Sequence, residues 1–382
     1  KEVFHSIYAS GFTNSVFQVE SQGMKQTMRR ANPQNISDII ILVSMYRPGP
    51  MDFLDDLIEV MNGKKKASYL IPQLKPILEE TYGSIVYQEQ VMQIFQQLAE
   101  YSLGGADLVR RAMSKKKADK LAKEEKAFIY GDAKRGIKGC IGNGISEKDA
   151  KTIFDQMTDF AKYAFNKSHA TAYSIVSYQT AWLKYHYPHE YIAVCFSYSE
   201  KEKRKEKRKG LLDDCNMLHI AFKNPDINKS EVNSSVKDGS IYFGLKDIQK
   251  VATKSKIIID ERNQHGEYKS LADFVYRTGI RRDCLKNLIN AGAFDHIMSC
   301  SRKAMIEQAD LFDDLIKTVQ DKKKILKEEN LTAKRKENAL KALNNLKDTL
   351  ESSYISDEKD DIVEKLLNEK EAIGLMLSGH IS

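Results

Sequence analysis

Proline is scarce and unevenly placed. Seven prolines serve 382 residues, none lies between Pro76 and Pro188, and none follows Pro225. Long proline-free spans remove the commonest helix breaker and leave room for many helices. Cysteine is also sparse: Cys140, Cys195, Cys215, Cys284 and Cys300 are scattered with no C-x-x-C pair. That spacing argues against a structural zinc site and a disulfide framework, and fits a reducing compartment. His186 and His189 stand as H-x-x-H but lack Cys or carboxylate partners at ligand spacing, so no metal is expected there. No run approaches the roughly 18 apolar residues of a membrane span, and the first ten residues show no charged-then-apolar leader. The chain lacks an initiator Met and opens in mid-pattern, which reads as an excised fragment.

What is present is charge and apolar periodicity. Charged residues make up 30% of the chain and hydrophobic ones 42%, enough for packed cores in a water-soluble protein. The formal net charge of +7 tilts the choice of partner toward nucleic acid, phosphates or anionic surfaces. Val91, Ile94, Phe95 and Leu98 follow the i, i+3, i+4, i+7 stripe of an amphipathic helix, and Ile153, Phe154, Met157, Phe160 and Ala161 do the same. Ser146 with Asp149 marks the start of the second helix. The apolar run 39–46 is stopped by Arg47-Pro48-Gly49-Pro50, a rigid turn able to hold Arg47 in a fixed direction. Residues 1–200 therefore read as mostly α.

Beyond residue 200 the texture changes. Residues 200–209, E-K-E-K-R-K-E-K-R-K, read as a domain edge or an exposed helical turn. Residues 222–228 read as a loop. The D-G at 238–239 between β-branched runs predicts a small hairpin within 231–243. Two short helical pairs follow, over 245–262 and over 270–280 with 282–290. From residue 301 the chain is charged and helical, and Leu340, Leu343, Leu346 and Leu350 form a narrow stripe that suits a two-helix hairpin or a poorly ordered insert. The fold class expected is mainly α, with many helices in the first domain, a short β hairpin in the second and a charged helical C-terminal segment.

Three stretches carry chemistry. In 104–117, G-G-A-D-L-V-R-R-A-M-S-K-K-K, two glycines break the chain. If a helix runs from Asp107, Arg110, Arg111 and Lys115 lie side by side, with Lys116 and Lys117 beyond. A solvated basic face and a polyanion site both explain that charge. In 165–173, F-N-K-S-H-A-T-A-Y, Ser168 is a suitable N-cap, which sets Asn166, Lys167 and His169 at a helix start that favours an anion. That helix carries Tyr173, Val176, Thr180 and Leu183. A helix through 82–90 brings Tyr87, Gln90 and Val91 to one side, useful against bases and equally good at a core edge. Separately, Gln308-Ala309-Asp310-Leu311-Phe312 either offers two apolar anchors to a partner or buries them in its own core.

Taken together, Y-R-P-G-P at 46–50, Y-G-S-I-V-Y-Q-E-Q-V-M-Q-I at 82–94, Y-S-L-G-G-A-D-L-V-R-R-A-M-S-K-K-K at 101–117, F-N-K-S-H-A-T-A-Y at 165–173 and S-Y-Q-T-A-W-L-K-Y-H-Y-P at 177–188 occur in one order. In this the chain closely resembles the C-family of bacterial replicative DNA polymerases, the catalytic α subunits of DNA polymerase III. The resemblance runs nearly end to end. It implies a fingers domain over 1–205, a tandem helix-hairpin-helix region over 206–300, and over 301–382 a clamp-binding motif, a charged helical segment and the lead-in to an OB-type domain.

The resemblance also implies roles. Arg110, Arg111, Asn166, Lys167 and His169 would line the pocket for the triphosphate of an incoming deoxynucleotide. Arg47, Tyr87, Gln88, Lys115, Lys116 and Lys117 would lie near the cleft. Gln308, Ala309, Asp310, Leu311 and Phe312 resemble the family's motif for the sliding clamp (β). Primer–template DNA and the other holoenzyme subunits are the remaining partners, and the cytoplasm, at replication forks on the nucleoid, is the implied location. The Mg²⁺-binding carboxylates belong to palm motifs expected upstream of Lys1, so no catalytic or metal residue is assigned in this chain, and the chain alone is expected to be inactive. One departure stands out: where the family's first hairpin carries G-V-G, this sequence has Lys250-Val251-Ala252, which puts backbone–phosphate contact there in question.

Overall fold

The computed structural model describes residues 1–114, 118–161, 164–199, 204–326, 328, 331–352 and 355–379. Helices dominate, and the chain divides into two compact units, Lys1–His186 and Tyr187–Ser382. The division comes ahead of the charge run that composition singles out.

The first unit holds helices α1 (Gln22–Ala31), α2 (Ile36–Met45), α3 (Leu54–Met61), α4 (Lys75–Leu78), α5 (Gln88–Ala99), α6 (Leu103–Ser114), α7 (Ala118–Tyr130), α8 (Gly139–Gly142), α9 (Glu147–Ala161) and α10 (Lys167–His186). Helix α2 ends where Arg47-Pro48 forbids continuation. One core gathers Val91, Ile94, Phe95 and Leu98 of α5 with Phe128, Ile153, Phe154 and Met157, so the two apolar stripes seen in the sequence face each other. Ser146 caps α9, its Oγ accepting from Asp149 N at 3.1 Å.

The second core of this unit joins α2 and α10. Helix α10 packs across α2, but the face it buries is Ala170, Ser174, Ser177, Ala181 and Lys184, whereas Val176 and Leu183 are exposed. Helix α2 presents Ile39, Ile41 and Leu42, all fully buried, and small residues opposite that bulk let the helices approach closely. Lys184 closes the stripe, donating from Nζ to the carbonyls of Phe12 and Asn14, 3.0 Å each, above the Phe12 ring.

The second unit comprises α11 (Pro188–Ser197), α12 (Arg204–Met217), strands β1 (Phe222–Lys223), β2 (Ser235–Lys237) and β3 (Ser240–Tyr242), then α13 (Lys254–His265), α14 (Leu271–Thr278), α15 (Arg282–Asn290), α16 (Arg302–Leu311), α17 (Asp313–Ile325), α18 (Ala333–Glu351) and α19 (Ile362–Ile373). Strands β2 and β3 form the hairpin expected at Asp238-Gly239, whose φ values of 52° and 70° suit a tight hairpin turn. The stretch 222–228 is not wholly loop: Phe222 and Lys223 pair in parallel with Ile241 and Tyr242. Helices α17 and α18 pack on each other, burying Ala339, Leu343 and Leu350 while Leu340 stays exposed. The charge run is not wholly solvated either. Arg208 is buried against Asp247 at 2.5 Å and stacks over the Phe196 ring, which makes it a core residue.

The end of the unit is tied by a buried ion pair. Arg302 donates to Glu369 Oε2 at 2.8 Å and to Asp295 Oδ2 at 2.6 Å, and Glu369 is fully buried. Burial by itself raises the Glu369 carboxyl. Hydrogen bonds from the Ser378 hydroxyl, Arg302, and the Ser378 and Leu377 amides outweigh it, and the net displacement is downward. A depressed carboxyl stabilises the fold above the ordinary range, near pH ~4.3, and that stability is lost as pH falls through the depressed value. Glu369→Ala is expected to cost about 1.5–3 kcal/mol in urea unfolding at pH 7 because it removes a buried charge-assisted partner of Arg302, which keeps Asp295. The gap between mutant and wild type should narrow as the wild type is taken to acid pH.

Candidate anion-binding site

The site is built on one buried amide. Gln90, in the first turn of α5, is 1% exposed. Its Oε1 accepts from the backbone amides of Val86 and Tyr87, 2.9 Å each, and its Nε2 donates to the Ile77 carbonyl at 3.1 Å and the Thr81 hydroxyl at 2.8 Å. With four bonds from one side chain, the segment entering α5 is fixed in extended form. That extended edge docks a distant one: Phe165 N donates to Val86 O at 3.0 Å and Gln88 N to Phe165 O at 2.9 Å. Gln88 Nε2 adds a bond to Ala164 O at 3.2 Å. The start of α10 is thereby held beside the start of α5.

The two glycines at 104–105 do not break the chain. Helix α6 starts at Leu103, because Ser102 caps it through its Oγ to Gly105 N at 3.1 Å. Asp107 sits one turn before the arginine pair and holds both. Arg110 Nη2 meets Asp107 Oδ1 at 2.7 Å, and Arg111 Nε meets Oδ2 at 2.8 Å. Hydrogen bonding from Arg110 is the main reason the Asp107 carboxyl lies below its ordinary range. Arg110 also donates to Gln88 Oε1 at 2.9 Å. Its side chain is 16% exposed and that of Arg111 64%, so Arg110 is the more enclosed of the two and Arg111 is held by Asp107 at the surface. Lys115, Lys116 and Lys117 lie outside the described residues.

At the start of α10 the cap is Asn166 rather than Ser168: Asn166 Oδ1 accepts from His169 N at 2.8 Å. The anion expected there is already supplied by the protein. Glu89 accepts from Lys167 N at 3.1 and 3.2 Å and from Asn166 Nδ2 at 3.2 Å, and Glu80 takes Lys167 Nζ at 2.6 Å. An open groove beside them is lined by Glu89, Lys167, Ser168, Thr171, Ala172 and Ile175. His169 is exposed and stands between the Phe165 and Tyr173 rings, 5.5 and 4.2 Å away. Arg47 lies over the Phe165 ring at 4.3 Å, tied to Ser44 O at 2.8 Å, and its burial lowers its basicity. Tyr87 is buried, and its phenol is pushed up chiefly by that burial.

Residues from four separate stretches thus converge: Arg47, Tyr87 with Gln88, Arg110 with Arg111, and Asn166, Lys167 with His169. Sequence reasoning missed the carboxylates woven among them. The signal was present, since Asp107 precedes the arginines by three and four residues, the spacing of helical ion pairs.

In the second unit, Gln308 and Ala309 are buried, Phe312 is fully buried, and Asp310 pairs with Arg282 at 2.5 Å and Lys286 at 2.8 Å. Leu311, 62% exposed, is the apolar side chain of this motif that faces outward. The turn at 250–252 keeps left-handed backbone without glycine: Lys250 has φ 62° and Ala252 φ 31°, around a buried Val251. The backbone form that glycine would favour is therefore retained at some strain. Among the described residues, no three His, Cys, Asp or Glu side chains converge as a metal-binding group, and no helix is long and apolar enough to cross a membrane.

Residues 1–136 match the family description "Bacterial DNA polymerase III alpha subunit finger domain", and residues 219–305 match "Helix-hairpin-helix motif". The DNA polymerase III subunit alpha of Thermus aquaticus is 37% identical over 383 aligned positions, covering 98% of this chain and 29% of that protein. The Borreliella burgdorferi subunit is 35% identical over 98% of this chain and 31% of its own length. The Escherichia coli K12 subunit is 42% identical over 75% of this chain and 25% of its own length. The chain thus spans about a third or less of the length of these relatives.

Gln90→Ala would leave the buried amides of Val86 and Tyr87 without partners, at a cost of about 2 kcal/mol or more. Urea unfolding should record that loss, and hydrogen exchange at the Gln88 and Phe165 amides should accelerate as the docked edge loosens.

Proposed function

This chain belongs to the family of bacterial DNA polymerase III α subunits, and we propose that its first unit grips the triphosphate of an incoming deoxynucleotide during template-directed DNA synthesis. The observation that carries this reading is the joining of Arg110 to the start of α10 through Gln88. Two guanidiniums and a helix N-terminus then face the same neighbourhood, a combination suited to a polyphosphate.

In the reaction proposed for the longer polypeptide, the primer 3′ hydroxyl attacks the α-phosphorus in line and pyrophosphate leaves. Charge grows on the leaving phosphates, and fixed cations directed at them lower the barrier. Arg111, exposed at the surface, closes on those oxygens, and Arg110, held by Gln88, sets their position. The ring pair His169–Tyr173 offers a surface beside the nucleotide. Mg²⁺ for this chemistry is assigned to carboxylates outside the described residues. Primer–template DNA is the proposed partner of the helix-hairpin-helix region, where the left-handed turn at 250–252 would present backbone amides to a phosphate. The remaining holoenzyme subunits, and a place at cytoplasmic replication forks, follow from the same reading.

A sliding-clamp role for Gln308–Phe312 is proposed in a narrower form. Leu311 is the anchor available as the unit stands, and use of Phe312 requires it to leave the core. Leu311→Ala is expected to weaken clamp binding with little change in thermal stability. Phe312→Ala should lose about 3–5 kcal/mol of stability. Clamp affinity measured by surface plasmon resonance and unaffected by Leu311→Ala would remove this role.

For the nucleotide itself, Arg111→Ala should cost about 1.5–3 kcal/mol of dATP binding, the worth of a charge-assisted hydrogen bond. Calorimetric titration of the chain with dATP measures it, and an unchanged affinity would overturn the assignment.

A further inference from the structure

The cations of the proposed nucleotide site are already paired, and each of the two anion positions holds a carboxylate of the protein. Asp107 spans Arg110 and Arg111, one oxygen to each, at 2.7 and 2.8 Å. Glu89 accepts from the first amide of α10 and from the side chain of its cap. The two carboxylates belong to different helices, and both abut Gln88. Asp107 shares Arg110 with the Gln88 side chain, and Glu89 is the next residue in the chain. We propose that Asp107 and Glu89 are specificity-determining residues that act as displaceable internal counter-anions, Asp107 on the arginine pair and Glu89 on the start of α10, until a polyphosphate replaces them. This rests on the nucleotide reading above and adds to it the competitor that the nucleotide meets.

The physical consequence is selectivity by charge. A carboxylate covalently placed beside a guanidinium has a high effective concentration there. Chloride and monophosphate carry too little charge to displace it. A triphosphate brings three or four negative charges and several oxygens, and makes charge-assisted bonds to both arginines and to the α10 amides at once. The side-chain exposure of Asp107 (26%) and of Arg111 (64%) leaves a route for the exchange. The groove along Glu89, Lys167 and Ser168 leaves room for the second carboxylate to swing away. Until a ligand arrives, Asp107 also lessens the mutual repulsion of the two arginines.

Calorimetric titration with inorganic tripolyphosphate tests the proposal on the wild-type chain and on Asp107→Asn, Glu89→Gln, Arg110→Ala and Glu125→Gln. Glu125 pairs with Lys151 away from the site and controls for the loss of one negative charge. Asp107→Asn and Glu89→Gln should each tighten binding by roughly tenfold, with Glu125→Gln changing it by no more than about twofold. Asp107→Asn should also bring inorganic phosphate binding into range. Equal effects of Asp107→Asn and Glu125→Gln, or weaker binding in Asp107→Asn, would overturn the inference. If Arg110→Ala abolishes binding while Asp107→Asn changes nothing, the nucleotide reading stands and only the counter-anion role falls. If Arg110→Ala changes nothing, both fall. Arginine Nε–H resonances in the unmodified chain give an independent reading: those of Arg110 and Arg111 should shift together on adding tripolyphosphate, and stationary signals at saturation would contradict the exchange.

Discussion

The geometry of the site depends on one buried amide. Gln90 has no apolar role in the core of the first unit, yet it uses its carbonyl twice and its NH₂ twice. A partly satisfied amide at that depth would destabilise the fold, and a fully satisfied one rigidifies the backbone around it. The backbone it holds is the edge that Phe165 pairs with, and Phe165 immediately precedes the start of α10. From that edge Gln88 reaches sideways to Arg110, and Arg47 stacks on Phe165. Residues separated by more than a hundred positions are therefore placed by a short chain of contacts that runs from Gln90 and Gln88 on α5 through the extended edge at Phe165.

Charge compensation is the second organising feature. The arginine pair, read from the sequence as a concentration of positive charge, is half-neutralised by Asp107, and the helix start that invites an anion has Glu89 in place. The same logic recurs in the second unit with opposite purpose. There Arg208 with Asp247, and Arg302 with Glu369, are buried pairs that tie separate elements together. Exposure separates the two uses: a pair sealed in a core is costly to break, while one open to water can exchange partners.

Much of the fold was legible because it rests on local signals. The stripes Val91–Leu98 and Ile153–Met157, the stop at Arg47-Pro48 and the turn at Asp238-Gly239 are set by periodicity and backbone chemistry near each residue. The converging site was legible only as separate stretches. What was hidden depends on a partner far along the chain. The buried face of α10 consists mainly of small residues set against the bulk of α2, which the apolar residues Val176 and Leu183 on the same helix do not mark. Arg208 looked like one cation among many until Asp247 and Phe196 enclosed it. Phe312, readable from the sequence as a partner's anchor or as its own core, is fully buried in its own unit. Gly104 and Gly105 looked like a break, which the Ser102 cap overrides.

The central claim is that Arg110, Arg111 and the start of α10 form one site for a nucleoside triphosphate. Its most direct test is a transverse-relaxation-optimised NMR titration of the chain with dATP, following the backbone amides of Lys167 and His169 with those of Arg110 and Arg111. The account predicts that all four move together along one saturating isotherm. Shifts at the arginines alone, or at neither element while dATP binds elsewhere, would contradict it.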